Sequence, residues 1–163
     1  MTRIGLISDT HGTLDNGVFK IFDSVDLVLH AGDIGNMDIL TALNAIAPVT
    51  AVYGNCDSWE IRQRTREWAE LHYENFILRL KHIPNKKFQT LSHPGPSLVI
   101  YGHLHSPGLE RRGQAWIINP GSATQPRNDD GKRTVGLLTL DKGDAEIHIV
   151  ALEDGQSIIR QKL

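Results

Sequence analysis

An α/β fold built on parallel strands is what this sequence predicts, and two observations predict it. Short apolar runs alternate with helix-like segments over the first third of the chain, the signature of βαβ units. Four apolar runs also end alike, in a glycine-marked turn rich in metal-ligating side chains. Residues 4–7 lead into Ser8-Asp9-Thr10-His11-Gly12, and 27–29 into His30-Ala31-Gly32-Asp33. Residues 49–53 lead into Gly54-Asn55-Cys56-Asp57, and 97–101 into Gly102-His103-Leu104-His105. Open α/β folds place their sites at the carboxyl ends of parallel strands. The four turns are therefore expected to meet at one sheet edge, as a two-metal hydrolytic centre.

The elements follow in order. After the strand at 4–8, Leu14, Val18, Phe19, Ile21 and Phe22 have roughly helical spacing, with Thr13 as N-cap and Asp15-Asn16 in the first turn. A strand at 27–30 comes next. Asn36 or Asp38 caps a second helix whose Ile39, Leu40, Ala42, Leu43 and Ile46 form a stripe, stopped by Pro48. The strand at 49–53 completes a parallel set of three. Residues 58–67 are charged and read as an irregular or partly helical connection. Residues 68–73 and 76–82 form a hairpin turning at Glu74-Asn75, with Phe76, Leu78 and Leu80 on one face. A short helix within 84–91 precedes Pro94-Gly95-Pro96 and the strand at 97–101. A strand at 115–118 runs into Asn119-Pro120-Gly121-Ser122. Strands at 134–140 and 145–152 close the chain as a hairpin around Asp141-Lys142-Gly143-Asp144, and 125–132 reads as a mobile loop.

A chain of 163 residues fits one domain, 1–163, able to bury roughly 70% of its unfolded surface. Its formal net charge of -2 gives no bulk attraction for nucleic acid or membrane. Cys56 is the only cysteine, which excludes an intrachain disulfide and fits a reducing compartment. The start lacks the longer apolar stretch of a secretory signal, and no window approaches ~20 apolar residues. A cytoplasmic protein is expected.

The ligand set combines carboxylates, imidazoles and an amide: Asp9, His11, Asp33, Asn55, His82, His103 and His105. That mixture suits Mn, Fe, Zn, Ni or Co better than the all-oxygen shells of Ca²⁺ or Mg²⁺. Asp-x-His and His-x-His suit strand ends, because residues two apart point to the same side. A carboxylate such as Asp33 can bridge two ions ~3.5–4 Å apart.

The order and spacing of Asp9-x-His11, Gly32-Asp33, Gly54-Asn55-x-Asp57, a histidine after a strand and Gly102-His103-x-His105 resemble the calcineurin-like metallophosphoesterases. The resemblance spans essentially the whole chain. Its compact length, Gly54-Asn55-Cys56-Asp57 and Asn119-Pro120-Gly121-Ser122 look like the small bacterial and archaeal phosphodiesterase branch, beside which belongs the retromer subunit of the same fold. The resemblance implies a four-layer αββα sandwich. It implies one metal on Asp9, His11, Asp33 and His105, and a second on Asp33, Asn55, His82 and His103. It further implies Mn²⁺ first among the metals, and phosphodiester hydrolysis by a hydroxide bridging the pair, with no protein nucleophile.

Two positions depart from the family pattern. Cys56 stands where many relatives carry a histidine that meets the phosphate, and His82 precedes Ile83 where relatives read His-Gly. His93, beside Pro94-Gly95, is the competitor of His82 for the fourth motif. Cys56 and Arg127 are the candidate substrate contacts, although Cys56 also reads as a small buried side chain and Arg127 as a solvated one. His30 is expected behind the site. Asp57 either caps the next segment or orients a ligand imidazole, and Asn119–Ser122 is first of all a turn. His72 and His148 read as ordinary histidines, and Arg62, Arg64 and Arg66 as an exposed face. The expected partner is a nucleotide or other phosphate-ester small molecule, and the hairpin strands leave room for a homo-oligomer. A different class, a scaffold that keeps the fold to bind a protein partner, is the alternative.

Overall fold

A computed structural model describes residues 1–89 and 95–163. In chain order the elements are β1 (Thr2–Ile7), α1 (Asn16–Ile21), β2 (Leu27–His30), α2 (Met37–Asn44), β3 (Val49–Ala51), α3 (Trp59–Arg64), β4 (Trp68–Tyr73) and β5 (Phe76–Lys81). There follow α4 (Lys86–Gln89), β6 (Ser97–Ile100), β7 (Pro107–Arg112), β8 (Ala115–Pro120), β9 (Thr134–Asp141), β10 (Asp144–Ala151) and β11 (Ser157–Lys162).

Period-two alternation in the strands assigns their side chains to layers. Ile4 and Leu6 of β1, Leu27 and Leu29 of β2, and Leu138 and Leu140 of β9 face one way. They meet Phe76, Leu78 and Leu80 of β5, Leu98 and Ile100 of β6 and Ile118 of β8 in the central core. The opposite face of the first sheet, with Ile7, Val28 and Val135, packs on Val18 of α1, Ile39 and Leu43 of α2 and Ile61 of α3. Gly5 lets α1 approach, since a Cβ there would stand 2.9 Å from the Phe22 ring. On the far side Val99, Ala115 and Ile117 are covered by Phe88 of α4. The order of layers is helix, sheet, sheet, helix, with the last layer thin. Each Leu, Ile or Val buried in these cores contributes roughly 1.5–3 kcal/mol.

The first sheet has the order β11-β10-β9-β1-β2-β3 and the second β4-β5-β6-β8-β7. Strands β1, β2 and β3 run parallel, as do β5, β6 and β8. One expectation needs correction here. The four ligand-bearing turns do not share a single sheet edge: three follow strands of the first sheet and the fourth follows β6 of the second.

Smaller corrections have local causes. The first helix starts at Asn16, because Asp15 rather than Thr13 accepts the Gly17 N–H at 2.7 Å. Asn36, not Asp38, caps α2, and Ser58 caps a regular α3. The 68–73/76–82 hairpin forms as β4–β5. Strands β7 and β11 were not expected. Both are sheet edges rich in charged or polar residues, and Pro107 occupies the first position of one, where its missing N–H costs nothing. Among the described residues no helix is long and apolar enough to cross a membrane.

Candidate metal centre

Backbone conformation marks the site first. Asp9, His11, Asp33, His103 and His105 all have left-handed φ, from 45° to 67°. For residues with a Cβ such a conformation costs about 1 kcal/mol or more each. Five together persist because the surroundings hold them. Glycine supplies the closeness: a Cβ on Gly54 would overlap Asp33 Oδ1, and one on Gly102 would overlap Ser8 Oγ.

The side chains then converge. Ligand atoms of Asp9, His11, Asp33 and His105 all lie within 4.8 Å of one another. His105 Nε2 is 3.1 Å from Asp9 Oδ1, and His11 Nε2 is 3.9 Å from Asp33 Oδ2. The Nε2 atoms of His11 and His105 are 3.3 Å apart. His82, at the end of β5, joins from the other side, its Nε2 3.3 Å from Asp33 Oδ2 and 4.0 Å from Asp9 Oδ1. Asn55 Oδ1 lies 3.1 Å from the same Nε2. His103 stands with its ring 5.4 Å from that of His82, and its N–H donates to Asp9 Oδ2 at 3.1 Å.

The histidine tautomers are set from behind. His82 Nδ1 lies 2.7 Å from Ala31 O, and His105 Nδ1 2.7 Å from Gln125 O. An acceptor there places the proton on Nδ1 and turns Nε2 inward, which is how metal-ligating imidazoles are held. Asp9 and Asp33 are almost fully buried, and every ion contact they make among the described residues is with an imidazole. Burial raises the Asp9 carboxyl above its ordinary value, with the Ser8 hydroxyl and the His82 and His105 imidazoles pulling the other way. For Asp33 burial is outweighed by the hydrogen bonds from His82 and the Cys56 N–H, and its carboxyl stays well below the usual range. For His82 too burial opposes charge, yet Asp33 and Asp9 raise it. Buried carboxylates need positive charge nearby. The donor set therefore fits a divalent cation.

The other expected residues fall as follows. Cys56 is exposed, not buried, and its N–H donates to Asp33 Oδ1 at 2.8 Å. Thiols pack well in cores, but here a tight turn on the surface sets the position. Arg127 is exposed, and its backbone N–H donates to His105 O at 2.9 Å. Ile83 is absent from the left-handed residues, so β5 delivers His82 without the glycine turn of the family pattern. His93 lies outside the described residues. Asp57 neither caps α3 nor touches a ligand imidazole: its two oxygens accept the N–H groups of Gly35 and Gly54, each at 2.8 Å. His72 pairs with Glu70 and His148 with Ser157, as ordinary histidines.

Several supporting residues carried no advance signal. Ser8 Oγ donates to Asp9 Oδ2 at 2.6 Å. Ser122 Oγ and Thr124 Oγ1 each donate to Asp9 O at 2.9 Å, and Asn119 Nδ2 donates to Gly102 O at 3.0 Å. The Asn-Pro-Gly-Ser run hinted at them, but only as a turn.

Two sheets between helices, with an acid–imidazole cluster at the strand ends, define the class of metallophosphoesterase-like proteins. The chain belongs to the calcineurin-like phosphoesterase superfamily, whose domain model matches residues 2–143. A probable metallophosphoesterase of Methanothermobacter thermautotrophicus is 38% identical over 157 residues, covering 88% of this chain and 90% of that protein. Phosphodiesterase YfcE of Escherichia coli K12 is 30% identical over 188 residues, covering 99% and 97%. The structure of the E. coli YfcE phosphoesterase superposes with a TM-score of 0.76, covering 98% of both chains at 25% identity. A Vps29 single mutant from Entamoeba histolytica superposes with 0.78, covering 99% of each chain at 21% identity. The cluster of Asp9, His11, Asp33 and His105 is compatible with a metallophosphoesterase active site.

Proposed function

We propose that this chain is a metal-dependent phosphoesterase acting on phosphodiesters of small molecules or nucleotides. The observation that carries the reading is the gathering of two buried carboxylates and two imidazoles within 4.8 Å at the strand ends. Kinship with a probable metallophosphoesterase and a phosphodiesterase at 30% identity or more supports it. Asp9, His11, Asp33 and His105 hold one divalent ion. Asp33, Asn55, His82 and His103 hold a second, with Mn²⁺ the first choice and Fe, Zn, Ni or Co able to replace it. Bound there, the ions supply a deprotonated water at neutral pH and positive charge for the phosphoryl oxygens. The chain's own part is to fix the ligands. Ala31 O and Gln125 O orient His82 and His105, and the Cys56 N–H holds one oxygen of Asp33 while leaving the other facing inward.

A second reading is a scaffold that binds a protein partner through the same fold. It is supported by the likeness to Vps29 chains, at TM-scores equal to or above that with YfcE, and by an exposed thiol at position 56. One experiment separates the two. With Mn²⁺ the protein is expected to hydrolyse bis(p-nitrophenyl) phosphate, and Asp33→Asn to lower kcat/KM about a thousandfold with the circular dichroism unchanged. Undiminished turnover in that variant removes the metal-dependent mechanism at this site, and stoichiometric metal without hydrolysis favours the scaffold.

A further inference from the structure

Beside the ligands lies a groove of about 340 Å³, lined among others by Tyr53, Asn55, Arg62, Lys81, His82 and Ile83. Two of these, Asn55 and His82, belong to the ligand set and touch at 3.1 Å, so groove and centre share a wall. The other four have no part in holding metal. The Arg62 guanidinium lies over the Tyr53 ring, 5.0 Å from its centroid. It is itself fixed, donating to Asp57 O at 3.0 Å, Gly54 O at 3.3 Å and Asn55 O at 3.1 Å. Lys81 Nζ pairs with Glu67 at 2.7 Å. Lys81 is thus neutralised by Glu67. Arg62 keeps its charge, since carbonyls do not cancel it, but is strapped over the ring rather than extended toward a second phosphate. The groove offers a flat aromatic–guanidinium surface and a branched hydrocarbon, Ile83, left 47% exposed directly after a ligand. Its volume lies at the low end of ligand pockets, about 300–1,000 Å³, which is room for one ring-sized group.

We propose that this groove is an ester-group subsite that takes a flat, uncharged aromatic ring carried on the phosphate at the metal centre. The inference rests on the phosphoesterase reading. The ring packs against Tyr53 and Ile83, with the strapped Arg62 keeping Tyr53 in place.

Calorimetry on the Mn²⁺-loaded protein tests it without turnover, by comparing phenylphosphonate with methylphosphonate. The phenyl compound is expected to bind about tenfold tighter, as partial burial of one ring allows. The affinity ratio falls toward one in Tyr53→Ser and in Ile83→Ser. It is retained in Tyr53→Phe and in Trp59→Ser, whose exposed ring lies on α3 outside the groove. The same ratio for adenosine 5′-phosphate against ribose 5-phosphate tells whether the groove takes a ring carried on a nucleoside or one held close to phosphorus. Ratios near one for both pairs in the unaltered protein overturn the inference, and so does a phenyl preference that survives Tyr53→Ser and Ile83→Ser. Metal-dependent binding of neither phosphonate instead brings down the phosphoesterase reading, and the inference with it.

Discussion

His30 is a histidine that the fold keeps neutral. It ends β2 fully buried, and burial pushes its pKa down to about 3 from an ordinary 6.5. Both ring nitrogens are engaged. Nδ1 accepts the Gly32 N–H at 3.2 Å, and Nε2 donates to Thr10 Oγ1 at 2.9 Å, whose own hydroxyl donates to Ile34 O at 3.0 Å. The unfolded chain takes up this proton first as the solution is acidified. The stability His30 confers is therefore complete above pH 6.5 and is lost progressively as pH falls from 6.5 toward 3. The slope approaches about 1.4 kcal/mol per pH unit. His30→Gln keeps a donor and an acceptor but cannot titrate. Urea unfolding of the metal-free variant should show a slope shallower by that amount across the upper part of the window. An unchanged slope would assign the acid sensitivity to another group.

At the scale of elements, loops are tied to one another across the strand ends. Asp57 ties the turn after β3 to the turn after β2, and Asn119, at the end of β8, ties the turn after β6. Asn119→Ala leaves Gly102 O without its amide donor and Gly121 N–H without its acceptor, both in a buried setting. The expected cost is about 2–3 kcal/mol in denaturant unfolding. Because Gly102 leads directly into His103, Mn²⁺ affinity should fall about 10- to 100-fold. A stability loss with full metal affinity would show the tie to be structural alone. These ties also explain what was legible in advance. The ligand turns could be read because each packs its donors within a few residues behind an apolar run, as in Asp9-Thr10-His11. Their fixings could not, because Asp9 O, Gly102 O, Ala31 O and Gln125 O are backbone carbonyls, which any residue type supplies. Strands β7 and β11 were hidden for a related reason. As edges they bury little and carry Arg111, Arg112, Arg160 and Lys162 where a central strand would carry hydrocarbon.

The whole molecule is two sheets pressed together and fastened at opposite ends. At one end Glu74, in the β4–β5 turn, accepts the N–H groups of Lys142 at 3.3 Å and Gly143 at 2.8 Å, in the β9–β10 turn. At the other end lie the proposed ligands, with Asp9, His11, Asp33 and Asn55 from the first sheet and His82, His103 and His105 from the second. Metal binding at that end would therefore act on global stability and not only on chemistry. An ion present at a hundred times its Kd stabilises by about 2.7 kcal/mol. In a chain of this length that corresponds to about 5–10 °C in Tm. Thermal unfolding with Mn²⁺ and with EDTA should differ by such an interval. His105→Ala, which removes the second sheet's ligand to the first ion and leaves the second ion's ligands in place, should reduce the difference without abolishing it. Glu74→Ala, which loosens only the far end, should lower both midpoints and leave the interval between them intact. If EDTA leaves Tm where it was, or if the shift is undiminished in His105→Ala, the ions do not join the sheets through the proposed ligand set.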